Sequence, residues 1–196
     1  MSYSAKETWY FDAPGPANTE DAALCAVKRA SELGIKTIVV ASSSGATALK
    51  FLDATEGTDL SLVVVTHAFG YKIPGKWDFS EETAEFLRSR GVTIVTGTHA
   101  LSGLERALSK SPKVGGGSRT EAIAEAFRKT VAVGLKVAVE CVLISADQGV
   151  LDGNDEVIAV GGTASGADTV CVIRPSNTAS FFDLQVREIA AMPRNR

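Results

Sequence analysis

The sequence predicts an α/β domain built on an open sheet with parallel members and an antiparallel edge. Three observations predict it. Residues 37–41, 60–66 and 92–95 are apolar, β-branched-rich runs without polar alternation, the pattern of strands covered on both faces. Each is followed by a stretch whose apolar residues recur at helical spacing. Finally, residues 157–160 and 168–173 are joined by a glycine-rich link too short for a helical crossover, so they close as an antiparallel hairpin.

In order along the chain, residues 1–17 form a lead-in in which Pro14, Gly15 and Pro16 forbid regular structure, and Asn18 or Thr19 caps the first helix. Ala23, Ala26, Val27, Ala30 and Leu33 share one face of that helix, and Gly34 stops it. A central strand, residues 37–41, follows. It runs into Ser42, Ser43, Ser44 and Gly45 and then a helix over 46–54 that buries Ala48, Phe51 and Leu52. After the strand at 60–66 comes Thr66-His67-Ala68-Phe69-Gly70-Tyr71, and then a loop around Pro74, Gly75 and Trp77 longer than a bare connection needs. Ser80 caps a helix containing Ala84 and Leu87 that ends at Gly91, and the third strand ends in Thr96-Gly97-Thr98-His99. Leu101, Leu104 and Leu108 mark a short amphipathic helix stopped by Pro112. Gly115, Gly116 and Gly117 form a flexible joint, and Ser118 with Glu121 makes a capping box for a helix running to about Val133, with Gly134 behind it.

Residues 136–148 support two readings. Val137, Val139, Cys141 and Leu143 alternate as in a strand, whereas Lys136 and Glu140 at i,i+4 and the stop at Gly149 suit a helix. Glu140 would be a buried acid in the first case and a solvated one in the second. Residues 174–196 form a tail that packs back through Phe181 and Phe182, so the whole of 1–196 reads as one domain. At 196 residues such a domain removes about 70% of its unfolded surface from water.

Composition excludes several functions. A net charge of −3 supplies no electrostatic footprint for nucleic acid or an anionic membrane. Cys25, Cys141 and Cys171 are far apart and read as reduced core thiols, and no signal peptide or long apolar run appears, which points to the cytoplasm. His67 and His99 lack carboxylates or cysteines at ligand spacing, so no metal is expected.

In open α/β sheets ligands bind beyond the carboxyl ends of the strands, which places residues 42–47, 66–71 and 96–99 along one rim. The loop at 42–47 puts hydroxyls and free N–H groups at the positive end of a helix, an arrangement suited to phosphate. The alternative is that Ser44 merely caps that helix.

Two segments resemble a known family. Val39-Val40-Ala41-Ser42-Ser43-Ser44-Gly45-Ala46-Thr47-Ala48 is similar to the phosphate loop in the C-terminal domain of pyruvate kinase, and Glu156 to Gly162 with Gly166 to Val172 is similar to that domain's closing hairpin. Stand-alone members of the superfamily, associated with bound FMN, also resemble the chain at Pro14 to Thr19, Leu101 to Arg106, Ser118 to Ala126 and Phe181 to Asp183. The resemblance implies a three-layer α/β/α fold whose five-stranded mixed sheet has its last strand antiparallel. It also implies that 136–148 is helix. The chain is too short to hold the barrel in which pyruvate kinase does its chemistry, so that activity is not expected. Ser43 and Ala46 replace the lysine and arginine of the pyruvate kinase loop, leaving a neutral loop suited to one phosphate.

Carried over by position, Ser42, Ser43, Ser44, Gly45, Ala46 and Thr47 would hold the FMN phosphate, with Gly161, Gly162 and Thr163 approaching from the hairpin. Arg119 would neutralise charge, or else lie solvated at its helix start. Thr66, His67 and His99 would reach the flavin or a substrate, with the histidines either structural or active in proton transfer. Phe69, beside Gly70, would stack on the isoalloxazine with Tyr71 and Trp77, or serve as packing. The expectation is thus a cytoplasmic FMN-binding protein, with redox chemistry if it is an enzyme. The alternative is a sensing or regulatory module for a phosphorylated metabolite. Either takes a phosphate-containing small molecule rather than nucleic acid or membrane, and self-association through apolar strands or the Phe181-Phe182 tail is open.

Overall fold

The structure, a computed structural model, describes residues 3–195; Met1, Ser2 and Arg196 lie outside them. Its strands are β1 (Trp9–Phe11), β2 (Thr37–Ala41), β3 (Ser61–His67), β4 (Thr93–Gly97), β5 (Val157–Gly161), β6 (Thr169–Arg174) and β7 (Gln185–Pro193). The helices are α1 (Thr19–Leu33), α2 (Ala46–Thr55), α3 (Glu81–Ser89), α4 (Gly103–Lys110), α5 (Arg119–Thr130) and α6 (Val133–Asp147).

These seven strands form one sheet in the order β1-β7-β6-β5-β2-β3-β4. β2 pairs in parallel with β3 and β5, and β3 with β4, while β6 is antiparallel to both of its neighbours. The hairpin β5–β6 is as expected, but the five-strand count is corrected to seven. β1 and β7 fall in the segments read as lead-in and tail. β7 opens with exposed residues, and β1 is three residues long and pairs only with β7, so neither carries the continuous apolar run of a central strand.

Strand alternation divides the core into two layers. Ile38, Val40, Val64, Ile158 and Val160 face α1, α2 and α3, packing on Ala22, Ala26, Phe51 and Leu87. Val39, Val63, Val65 and Ala159 face α6, backed by Ala124 of α5 and by Leu101. This is the three-layer α/β/α arrangement.

Residues 136–147 are helix, with Gln148 as its C-cap, but Gly134 is not a stop. It lies in the first turn of α6, where a Cβ would come within 2.2 Å of Thr169 Oγ1. Glylessness at this point would push α6 off the sheet. Glu140 is also corrected: it is helical and 3% exposed, because α6 lies between the sheet and α5 and has almost no solvated face. In the tail, Phe181 packs on the α6-side core, whereas Phe182 is 92% exposed. All three cysteines are free and buried. Among the described residues, no helix is long and apolar enough to cross a membrane.

Candidate functional site

Between β2 and β5 the chain order reverses: β3 and β4 lie to one side and β5 to the other, so the loops beyond these strands part and leave a crevice. A cavity of about 390 Å³ occupies it. Its floor is Ala41 at the end of β2 and Ser42 after it, Val65 to His67 on β3, Gly97 at the end of β4 and His99 beyond it, and Gly162 after β5.

Ser42 organises the near wall. It is buried, its N–H donates to Val65 O at 2.9 Å, and its hydroxyl accepts from Gly45 N and Ala48 N, each at 3.2 Å. Helix α2 therefore takes its cap from Ser42 rather than Ser44. Leu49 N makes the first intrahelical bond, to Gly45 O, so the N–H groups of Ala46 and Thr47 at the positive end of the dipole have no carbonyl of their own helix to donate to. The Thr66 hydroxyl, 4% exposed, has no hydrogen-bond partner among the described residues. Alternation places the Thr66 side chain with Val64 on the α2 side of the sheet and that of His67 with Val65 on the α6 side.

The far wall belongs to α4, α5 and α6, which contribute Arg106, Arg128, Lys136 and Glu140. Lys136 and Glu140 form a buried ion pair, and Glu140 Oε1 also accepts from Leu101 N at 2.9 Å. Burial pulls the lysine's pKa below its ordinary value, with the adjacent carboxylate opposing that pull. Arg106 Nε donates to Glu121 Oε1 at 2.7 Å, and this bond raises the guanidinium's pKa further. Arg128 pairs with Glu125 at 3.4 Å. Neither Glu121 nor Glu125 lines the cavity, so among the described residues its wall carries three cations against the one carboxylate of Glu140.

Three rings meet at the mouth. His67 and Tyr71 have centroids 3.9 Å apart, and His99 lies 5.5 Å from His67 and 5.2 Å from Tyr71. Burial holds His99 below the usual histidine range, with Lys136, His67 and Arg106 adding to that effect and Glu140 opposing it. His67 Nδ1 lies 3.1 Å from Asp78 Oδ2. Cys141 also lines the cavity, but burial pushes its thiol up to about 12.

Of the residues expected at the site, Ser42, Ser43, Thr47, Thr66, His67, His99 and Gly162 line one cavity. The others stand behind or beside it. Gly45, at φ 99°, packs under α3, where a Cβ would meet Thr83 Cγ2 at 2.6 Å. Gly161 packs on α6, where a Cβ would lie 2.2 Å from Gly134 O, and Thr163 N donates to Asp168 Oδ2 at 3.0 Å. Ser44 and Ala46 are exposed. Phe69 stacks on Trp77 at 5.6 Å outside the cavity, leaving Tyr71 as the aromatic within it, and Gly70 N closes the loop onto Lys76 O.

Arg119 is exposed at the start of α5, one residue after the Ser118 cap, and does not line the cavity. The cations that do, Arg106, Arg128 and Lys136, were not among the expected residues. The i,i+4 spacing of Lys136 and Glu140 was the available signal, but it reads as a solvated pair until α6 is known to be buried. Asp78 was also missed, since only the fold of the loop over 68–79 brings it to His67.

Comparison with known proteins gives a match to the family described as pyruvate kinase, alpha/beta domain, over residues 20–173. Among solved structures, a pyruvate kinase from Cryptosporidium parvum is 17% identical, with 84% of this chain and 24% of that chain covered at a TM-score of 0.42. A pyruvate kinase of the same organism in complex with ADP is 15% identical, with 84% of this chain and 25% of that chain covered at a TM-score of 0.42. The chain thus spans about a quarter of the length of these two structures.

Proposed function

This chain belongs to the pyruvate kinase alpha/beta domain family, and from that premise we propose that it binds a phosphate-bearing small molecule in the crevice beyond β2, β3, β4 and β5. The observation that carries this reading is the cavity wall: Arg106, Arg128 and Lys136, each held by a carboxylate, present their cationic N–H groups on a lining whose one carboxylate is Glu140, facing the start of α2. A dianion there gains both from the cations and from the helix N-terminus. Ser43, Thr47 and the unpartnered Thr66 hydroxyl supply neutral donors on the α2 side.

FMN is the first candidate. Its phosphate suits the loop over 42–47, and the rings of Tyr71 and His67 offer a stacking face for the flavin. When bound, it would supply electron-transfer chemistry, and these residues would position it. A second reading, a smaller phosphorylated metabolite, is favoured by the polarity of the lining, which sets imidazoles, guanidinium groups and an ion pair where an extended apolar ring would lie. In this second reading the domain either senses that metabolite or acts on it.

Absorbance of the purified protein, before and after FMN addition and gel filtration, tests the first reading, with Ser43→Asp as the variant that opposes a phosphate. Retained flavin that is lost in the variant supports FMN. A colourless protein that is stabilised by phosphorylated metabolites in thermal shift supports the second reading, and no response to either class of ligand overturns the proposal.

A further inference from the structure

We propose that the cavity catalyses proton transfer at the carbon beside a carbonyl of a phosphorylated small molecule, with His67 as general base and Asp78 as the residue that positions it. The inference rests on the phosphate-binding reading above.

His67 lines the cavity and Asp78 does not, so the imidazole bridges from a carboxylate behind the wall to the space within it. The Asp78 side chain is 7% exposed and lies 3.1 Å from Nδ1. With Nδ1–H donating to that carboxylate, the Nε2 lone pair is left to accept a proton, and Asp78 stabilises the imidazolium that results. Lys72 Nζ, at 3.9 Å from the same carboxylate oxygen, is the cation beside Asp78.

The remaining groups select the reaction class. Glu140 is committed to Lys136 and Leu101 N, and the Cys141 thiol is held protonated by burial, so neither competes with His67 as base or nucleophile. His99 and Lys136 stand on the same side of the sheet as His67 and present N–H donors. Such donors stabilise an oxyanion as it forms. A base beside oxyanion donors, without a competent nucleophile, suits enolisation.

In the step, His67 Nε2 takes a proton from the carbon next to the carbonyl. The C–H electron pair becomes the C=C bond, and the carbonyl π pair moves onto oxygen, where His99 and Lys136 donate to it. Return of the proton to the same or the adjacent carbon regenerates the neutral imidazole. No oxidant, reductant or second substrate is consumed. The Thr66 hydroxyl and the loop over 42–47, on the opposite side of the sheet from His67, would hold the phosphate.

The test incubates the protein in D2O with dihydroxyacetone phosphate, glyceraldehyde 3-phosphate and ribulose 5-phosphate, following C–H exchange by proton NMR and binding by thermal shift. Exchange of at least one probe is expected to fall about 10²-fold or more in His67→Gln, with binding retained. Asp78→Asn is expected to slow exchange at least tenfold while leaving binding in place, and to change the His67 tautomer seen in long-range 15N–1H correlation spectra from Nδ1–H in the unaltered protein. Binding without His67-dependent exchange overturns this inference and leaves the binding site standing, as does FMN binding with no probe bound. An Nε2–H tautomer for His67 in the unaltered protein overturns the dyad. Failure to bind any probe or FMN overturns both readings.

Discussion

Glu140 shows how much a single side chain depends on what surrounds it. Its carboxylate faces Lys136 and the Leu101 N–H with almost no water. Glu140→Gln keeps an acceptor for Leu101 but leaves the lysine charge buried without its anion, so a loss of about 3 kcal/mol is expected in denaturant unfolding. Adding Lys136→Met should recover most of that loss; if it does not, the cost lies in packing rather than charge. His99 gives a pH signature. Burial lowers its folded pKa below the ordinary 6.5, so between 6.5 and that lower value the unfolded chain binds more protons than the folded one. Stability contributed by this group is therefore complete above pH 6.5 and is lost as pH falls through that window. His99→Gln should lose less stability than the unaltered protein between pH 7.5 and 5.5, as judged by urea midpoints.

At the scale of elements, what was legible in the sequence was whatever is decided within a few residues. Ser80 and Ser118 cap α3 and α5 by accepting from Thr83 N and Glu121 N, and Gly34 ends α1 with φ 70°. The strand ends bearing Ser42, Thr66, His67 and His99 converge because parallel strands put their carboxyl ends on one side. What was not legible depends on packing between distant segments. The cap of α2 comes from Ser42, three residues earlier than its N-cap position Gly45, because the strand end turns Ser42 under the helix. Arg106, Arg128 and Lys136 reach the cavity only because α4, α5 and α6 fold over it. Ser42→Ala should cost about 1 to 2 kcal/mol by removing the acceptor from two buried N–H groups. Ala164 lines the cavity with φ 63°, a left-handed conformation for a residue with a Cβ. Ala164→Gly should raise stability by up to about 1 kcal/mol. A stability loss instead would show that the Ala164 methyl packs usefully in the cavity wall.

At the scale of the molecule, the matched family region, residues 20–173, leaves β1 and β7 outside it. Neither carries a strand signature in the sequence, because β7 begins with exposed, charged residues and β1 is too short to show a period. Their role follows from the sheet. β7 covers β6, which would otherwise present its unpaired backbone to water, and brings Ala190 and Ala191 to full burial against α1. Glu188 meets Arg29 at 2.8 Å, and Arg29, buried in α1, also donates to Glu7 O in the segment leading into β1. Removing residues 185–196 would therefore expose the apolar strand β6 and take from a buried guanidinium the nearer of its two carboxylates, leaving Glu32 at 3.6 Å. The exposed strand costs several kcal/mol and the lost ion pair about 1 to 2 kcal/mol, together comparable to the whole stability of a domain of this size. The chain ending at Leu184 should be insoluble or bind a hydrophobic dye, whereas Glu188→Gln alone, with Glu32 and Glu7 O still facing Arg29, should remain folded but less stable by about 1 to 2 kcal/mol. A truncated chain with full solubility and an unchanged unfolding midpoint would show that β6 can serve as an edge, and that β1 and β7 are appended to a sheet complete without them.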